Sequence, residues 1–328
     1  VPGDNNVNIV MDDTPVYARE TVEYIGEPIG MVCGPDEAVC EDILSRIEVE
    51  YEELEPMLDL RKADEVFFNY EYEKGDIDKA FADAKAGHTK YTEFRGDPEL
   101  RQEISKFYKE EYNMDVADEE IFVCTSACEG MYLVMESILD DGDEVIVQAP
   151  YFTPYPQQIE LARGIPVELP TYEEEDFQID VDRLESLITE RTKALLINSP
   201  SNPTGNCLSV ETMQKIAAIA EKYDLIVVAD DIYTAFSYQS PFVPFASLPG
   251  MKERTIILNS FSKNFTMPGW RVGNIIAPDY IIRIVQQVNE NVVFTAPSIS
   301  QRAGIYALRY RKEIQPPMIE EYRKRMFY

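Results

Sequence analysis

Residues 194–233 read ALLINSPSNPTG (194–205), ETMQKIAAIAEKY (211–223) and LIVVADDIY (225–233), and this strand–helix–strand succession decides the fold. The two apolar runs are continuous rather than alternating, so each strand is expected to be buried on both faces. The segment between them repeats apolar residues at helical spacing. The pattern extends both ways. TIILNSFS (255–262), EVIVQAP (144–150) and EIFVC (120–124) are further apolar strands. PELRQEISKFYKEEYN (98–113), EGMYLVMESILDD (129–141) and a segment from Val181 to about Thr189 read as helices. The expected fold is α/β, a mostly parallel sheet between helices.

Residues 1–85 have a different character. They hold 23 acids and 7 bases, so more than half of the net charge of −30 sits in about a quarter of the chain. Such a step marks a separate module, expected to be α+β. TVEYIGEPIGMVCG (21–34) offers two β-prone runs around Gly26. DEAVCEDILSRI (36–47) has Val39, Ile43 and Ile47 on one helical face. IEVEYEELEPML (47–58) alternates like a half-buried strand.

Composition narrows the function. A charge of −30 repels phosphate backbones and anionic lipid, so no nucleic-acid or membrane partner is expected. No run of about 18 apolar residues exists, and VPGDNNVNIV lacks the features of a signal peptide. The single histidine, His88, excludes a multi-histidine metal centre, and no metal site is expected. Five cysteines without a CxxC pair read as free thiols of a cytoplasmic protein.

Polar residues gather where the apolar runs end, which is where parallel α/β sheets bind ligands. Thr125, Ser126, Ala127 and Cys128 follow EIFVC and precede a helix. Tyr151 and Phe152 follow EVIVQAP. Asn202 lies beyond ALLINSP, and Asp230, Asp231 and Tyr233 end LIVVA. Ser260, Ser262 and Lys263 end TIILN, with Arg271 a little beyond. Helix N-terminal amides, two serines and an arginine suit a phosphate dianion. A buried aspartate suits a protonated ring nitrogen, an aromatic ring covers a flat cofactor, and a lysine forms a Schiff base with an aldehyde. Phosphate, pyridinium, flat ring and aldehyde together describe pyridoxal phosphate.

From about residue 85 the chain resembles class I/II pyridoxal-phosphate aminotransferases of fold type I. The motifs that carry the likeness are GHTKYTEFRGDPELR, TSACEG, DDGDEVIVQAPYFTPY, INSPSNPTG, VVADDIY and NSFSKNFTMPGWRVG. The resemblance implies roles. Lys263 holds the cofactor as a Schiff base and moves the proton. Asp230 pairs with the pyridine nitrogen, and Asn202 and Tyr233 bond the ring's phenolic oxygen. Phe152 stacks on the ring. Ser260, Ser262, Arg271 and the amides after Ser126, at Ala127 and Cys128, hold the phosphate. Tyr91 reaches the phosphate of a neighbouring subunit, which implies a homodimer. Asn202–Pro203 is a candidate cis bond. Ser126 stands where the family usually has glycine, and Cys128 where it often has a hydroxyl.

The implied activity is amino transfer from an amino acid to a 2-oxo acid. A β- or γ-lyase (C–S lyase) would use the same site. EEYRKRMFY (320–328) resembles the start of the helix leading into the family's small domain, and no residue is assignable as that domain's carboxylate-clamping arginine. Residues 1–84 resemble the hammerhead region of molybdenum hydroxylases such as xanthine dehydrogenase, through VPGDNN, DDTPVYARETVEYIGEPIGMV, EVEYEELEPMLD and KGDIDKAFADA. The expected organisation is therefore an acidic module over 1–84, a cofactor-binding large domain over 85–310, and the start of a connecting helix over 311–328. A chimeric, catalytically defective fusion and a molybdenum hydroxylase fragment are the competing readings.

Overall fold

The computed structural model describes residues 6–7, 14–22, 24–54, 82–83, 85–238 and 240–326, and the chain divides into two units, Val1–Glu73 and Lys74–Tyr328. In the first unit β1 (Asn6–Val7) pairs antiparallel with β2 (Thr14–Pro15). Helix α1 (Glu37–Leu44) is capped by Asp36, whose carboxylate accepts the Val39 N–H. The helix is shorter than expected and buries no side chain; Val39 and Ile43 are each 39% exposed. The strand expected over IEVEYEELEPML is not found in its described part, 47–54. Among the described residues neither run around Gly26 forms a strand; Gly26, at φ +94°, instead turns the chain. Alternation alone did not make strands here. Val49, Tyr51 and Leu54 are exposed, so their apolar side has no surface to bury against, and a strand needs a paired neighbour. Residues 55–58 of that run and most of KGDIDKAFADA lie outside the described residues.

The second unit is built on seven strands: β3 (Ile121–Cys124), β4 (Glu144–Ala149), β5 (Ile165–Pro170), β6 (Thr192–Asn198), β7 (Ile226–Asp230), β8 (Thr255–Ser260) and β9 (Gly273–Ile276). Their order is β3-β9-β8-β7-β6-β4-β5. β9 runs antiparallel to both neighbours and the other pairings are parallel. The carboxyl ends of β3, β4, β6, β7 and β8 thus share one rim.

The helices are α2 (Pro98–Tyr112), α3 (Ala127–Ile138), α4 (Pro154–Leu161), α5 (Val181–Ser186), α6 (Val210–Lys222), α7 (Phe261–Asn264), α8 (Asp279–Asn289), α9 (Ser298–Arg309) and α10 (Arg311–Met326). They explain the continuous apolar runs. Val145, Leu196, Val228 and Leu258 face one layer with Met131, Ile159 and Ile281 of α3, α4 and α8. Their neighbours Ile146, Leu195 and Val227 face α5 and α6. Ile121 and Ile257 face Leu100, Ile104 and Ile305 of α2 and α9. β4, β6, β7 and β8 alternate with period two, but both faces are covered, so their central positions are apolar.

Local signals set the helix ends. Asp97 caps α2 and Pro98 opens it, while Asn113 closes it at φ +54°. Ser209 caps α6 by accepting the Thr212 N–H at 3.0 Å. The expected helix 129–141 is shifted to 127–138 because Ser126 supplies the cap, and the helix from Val181 ends at Ser186. Two strands of this sheet, β5 and β9, escaped sequence reading, as did β1 and β2 of the first unit. IPVELP carries proline at both ends, which argues against a strand except at an edge, where β5 lies. GNII is too short to show periodicity.

Candidate active site

The rim gathers the polar residues that follow the strands. Opposite Gly273 lie Cys124 on one side and Ser260 on the other. The loop after β3, the turn after β8 and the segment from Arg271 therefore abut. Gly273 is required by this closeness, since a Cβ there would sit 2.9 Å from the Asn259 oxygen and 3.0 Å from the Ala127 nitrogen.

Ser126, buried and extended at φ −175°, caps α3 through its hydroxyl, which accepts the Glu129 N–H at 3.1 Å. That conformation places no demand for glycine. The amides of Ala127 and Cys128 open the helix and have no acceptor within it. Cys128 is exposed, and its carbonyl accepts from Gln158 Nε2 at 2.7 Å. Ser260 Oγ donates to Ser262 Oγ at 2.9 Å and caps α7, accepting the Ser262 N–H. Arg271 is exposed, adopts φ +52° and donates to the Pro268 carbonyl; it pairs with no carboxylate among the described residues. Lys263, on α7, is also exposed and has no hydrogen-bond or ion-pair partner among them.

Asp230 ends β7 and is 4% exposed. Its Oδ2 accepts the Tyr155 hydroxyl at 2.5 Å, while its Oδ1 is buried with no partner. Burial pushes its carboxyl up to about 6, against the opposing pull of the Tyr155 hydroxyl and the Ile232 backbone. Asn198, paired with Asp230 across β6 and β7, donates from Nδ2 to the Asp230 carbonyl and accepts the Asn202 N–H on Oδ1, each at 2.7 Å. Asn202 Nδ2 in turn reaches the Tyr233 hydroxyl at 3.4 Å. The Asn202–Pro203 bond is cis, as are Ala149–Pro150 and Ser199–Pro200. Phe152 packs edge-on against Tyr155 at 5.7 Å.

The structure thus joins Phe152, Asn202, Asp230 and Tyr233 through Tyr155 and Asn198, and sets Ser126, Ala127, Cys128, Ser260, Ser262, Lys263 and Arg271 on the adjoining segments. Tyr91 is apart, 81% exposed and edge-on to Phe294 at 5.1 Å. Sequence reasoning missed Tyr155 and Asn198. Tyr155 stands three residues past Phe152 in the run that follows β4, and Asn198 is the polar residue closing an apolar strand. Both carried the strand-end signal.

A bare buried carboxylate oxygen calls for a proton donor. An arginine without a carboxylate, two open amides and two hydroxyls call for a dianion. A free lysine beside them completes the donor set, and these residues fit pyridoxal phosphate. A sheet of this order, with this rim, defines the large domain of a fold-type I pyridoxal-phosphate enzyme. The model of class I and II aminotransferases matches residues 69–327, and the chain belongs to that family. It is 40% identical over 240 residues to an aspartate aminotransferase of Pyrococcus abyssi, covering 73% of this chain and 61% of that protein. It is 35% identical over 252 residues to an aspartate aminotransferase of Geobacillus stearothermophilus, covering 76% and 64%. The crystal structure of an aromatic aminotransferase from Pyrococcus horikoshii superposes with a TM-score of 0.72 at 37% identity, over 75% of this chain and 67% of that one. The chain therefore spans less than two thirds of the length of these two curated relatives.

The Tyr155 hydrogen bond favours the ionised form of Asp230, the form that holds a pyridinium. Tyr155→Phe is expected to raise the Asp230 pKa and to weaken pyridoxal phosphate binding by roughly 10- to 100-fold, the worth of one hydrogen bond to a charged group. An absorbance titration of the apoprotein measures this; unchanged affinity would remove Tyr155 from the site.

Proposed function

We propose that the chain carries the cofactor-binding large domain of a pyridoxal-phosphate-dependent aminotransferase, which moves an amino group from an amino acid to a 2-oxo acid. The observation that carries this reading is the unpartnered, buried Oδ1 of Asp230 on the same rim as the unpaired Lys263 and Arg271. When bound, the cofactor supplies an aldehyde that condenses with amines and a ring that accepts the electron pair left at the amino acid's α-carbon. Asp230 keeps the proton on the ring nitrogen. Tyr155 and Asn198 hold Asp230 in place. Tyr233 and Asn202 donate toward the ring's phenolic oxygen, and Phe152 covers one face. The amides of Ala127 and Cys128, Ser260, Ser262 and Arg271 bind the phosphate. Lys263 Nζ would hold the aldehyde end of the cofactor and would carry the proton at the reacting carbon.

The division into a module over 1–84, a large domain over 85–310 and a connecting helix from 311 belongs to this reading. α10, over Arg311–Met326, supports the last part. Among the described residues no helix is long and apolar enough to cross a membrane. Five free cysteines support a reducing, cytoplasmic setting. Tyr91, Phe94, Val293 and Phe294 are exposed, which supports a homodimer in which Tyr91 meets the partner subunit's phosphate.

The test is reconstitution. Purified protein mixed with pyridoxal phosphate should develop visible absorbance, convert an amino donor plus 2-oxoglutarate to glutamate, and sediment at twice 37.6 kDa. Keto acid and free thiol released from a thioether amino acid, without amino transfer, would replace this reading by a lyase. Absence of any absorbance change would end it.

A further inference from the structure

Asn264 is the residue after Lys263 and the last of the short helix α7, and its surroundings are unusual for an asparagine at a helix end. It is 2% exposed, and both ends of its amide are used. Oδ1 accepts the Ala235 N–H at 3.1 Å. Nδ2 donates to Thr234 Oγ1 at 2.9 Å and lies 3.4 Å from Asn259 Oδ1. The backbone carbonyl of Asn264 accepts from Gln315 Nε2 of α10 at 2.9 Å. Asn259 Oδ1 also accepts the Ser260 N–H at 2.7 Å. One side chain therefore ties the turn that bears Lys263 to the segment immediately after Tyr233, and one helix braces that tie from outside.

We infer that Asn264 is a positioning residue that sets Lys263 in register with Asp230 and Tyr233. The inference rests on the reading of the site given above. The strands β7 and β8 fix the two segments only as far as Asp230, opposite Leu258. Beyond that register β7 ends, with a last bond from the Asp231 N–H to the Leu258 carbonyl, while β8 runs on to Ser260 against β9 alone, so the turn after Asp231 and the short helix after Ser260 share no β7–β8 ladder to align them. A fully satisfied buried amide supplies the alignment, because each broken bond would leave a buried group unpaired. Gln315 extends the same control to α10, so a displacement of that helix would be felt at the lysine turn.

The test compares the parent chain, Asn264→Ala and Thr234→Val. The valine variant keeps the volume of Thr234 and removes the acceptor for Asn264 Nδ2 together with the hydroxyl's bond to Tyr112. In the apoprotein, hydrogen exchange of segments 231–238 and 261–267 should accelerate together, by about tenfold or more in Asn264→Ala. In the reconstituted protein, the pH midpoint of the cofactor's absorbance should move by about half a unit or more in both variants. kcat should fall with little change in KM. Faster exchange with an unmoved midpoint would make Asn264 merely structural and overturn the inference, as would acceleration of one segment alone. If Asn264→Ala fails to fold, an unmoved midpoint and unchanged exchange in Thr234→Val overturn it equally. A parent chain that develops no absorbance would overturn the cofactor reading, while exchange in the apoprotein would still decide the link between the two segments.

Discussion

Lys263→Ala abolishes covalent capture of pyridoxal phosphate and lowers any amino-transfer kcat by at least about 10⁴-fold, because the nucleophile and the proton carrier are lost together. Borohydride reduction followed by peptide mass mapping reads capture directly: the peptide with residue 263 gains the cofactor's mass in the parent and not in the variant. Lys263→Arg is the sharper comparison. It keeps a cation in the same exposed position on α7, so electrostatic attraction for the phosphate survives. A guanidinium stays protonated and forms no covalent bond with the aldehyde, so this variant must fail too. Stoichiometric capture at another lysine in either variant would refute the assignment.

Asp230→Asn is expected to lower kcat by roughly 10²- to 10⁴-fold, the consequence of removing one partner of a buried charge pair. The same variant has a signature without cofactor. The folded-state pKa of Asp230 is pushed up to about 6 from an ordinary 3.8 by burial. Between those values the native apoprotein keeps a proton that the unfolded chain has lost. Native stability therefore falls as pH rises from about 4 to 6, by on the order of 3 kcal/mol, and is flat in this respect above 6. Asp231, buried and also raised, partly by the charge of Asp230, adds a slope of the same sign. The difference in thermal unfolding between parent and Asp230→Asn across pH 4–7 isolates the contribution. A parent apoprotein whose stability relative to the variant does not fall over that window would show that Asp230 is not buried as an unpaired acid. Saturating pyridoxal phosphate should recover part of the loss in the parent only, since the ring nitrogen gives Oδ1 its donor.

Much of the site was legible because strand ends announce themselves. In LIVVADDIY and TIILNSFSK the change from apolar to polar marks where a buried strand meets the rim, and five such changes set the candidate residues along one edge. The strand expected over IEVEYEELEPML in the first module was misread, in its described part, for the converse reason. IEVEYEELEPML has the periodicity of a strand, but periodicity records only what a segment could bury, and Val49, Tyr51 and Leu54 stay exposed. Tyr155 and Asn198 were overlooked although both follow the strand-end rule, since nothing local distinguishes an aromatic that packs from one whose hydroxyl holds a carboxylate 75 residues away.

The sequence by itself determined the class of fold, the strands β3, β4, β6, β7 and β8 and the residue types at the rim, because burial on both faces and helix capping act over a few residues. The tertiary structure alone decided the strand order with its reversed β9, the bare Oδ1 of Asp230 and the bridge from Asn264 to Thr234 and Ala235. Those depend on contacts between segments far apart in the chain, where the cost of burying a polar group is set by neighbours that no local pattern names.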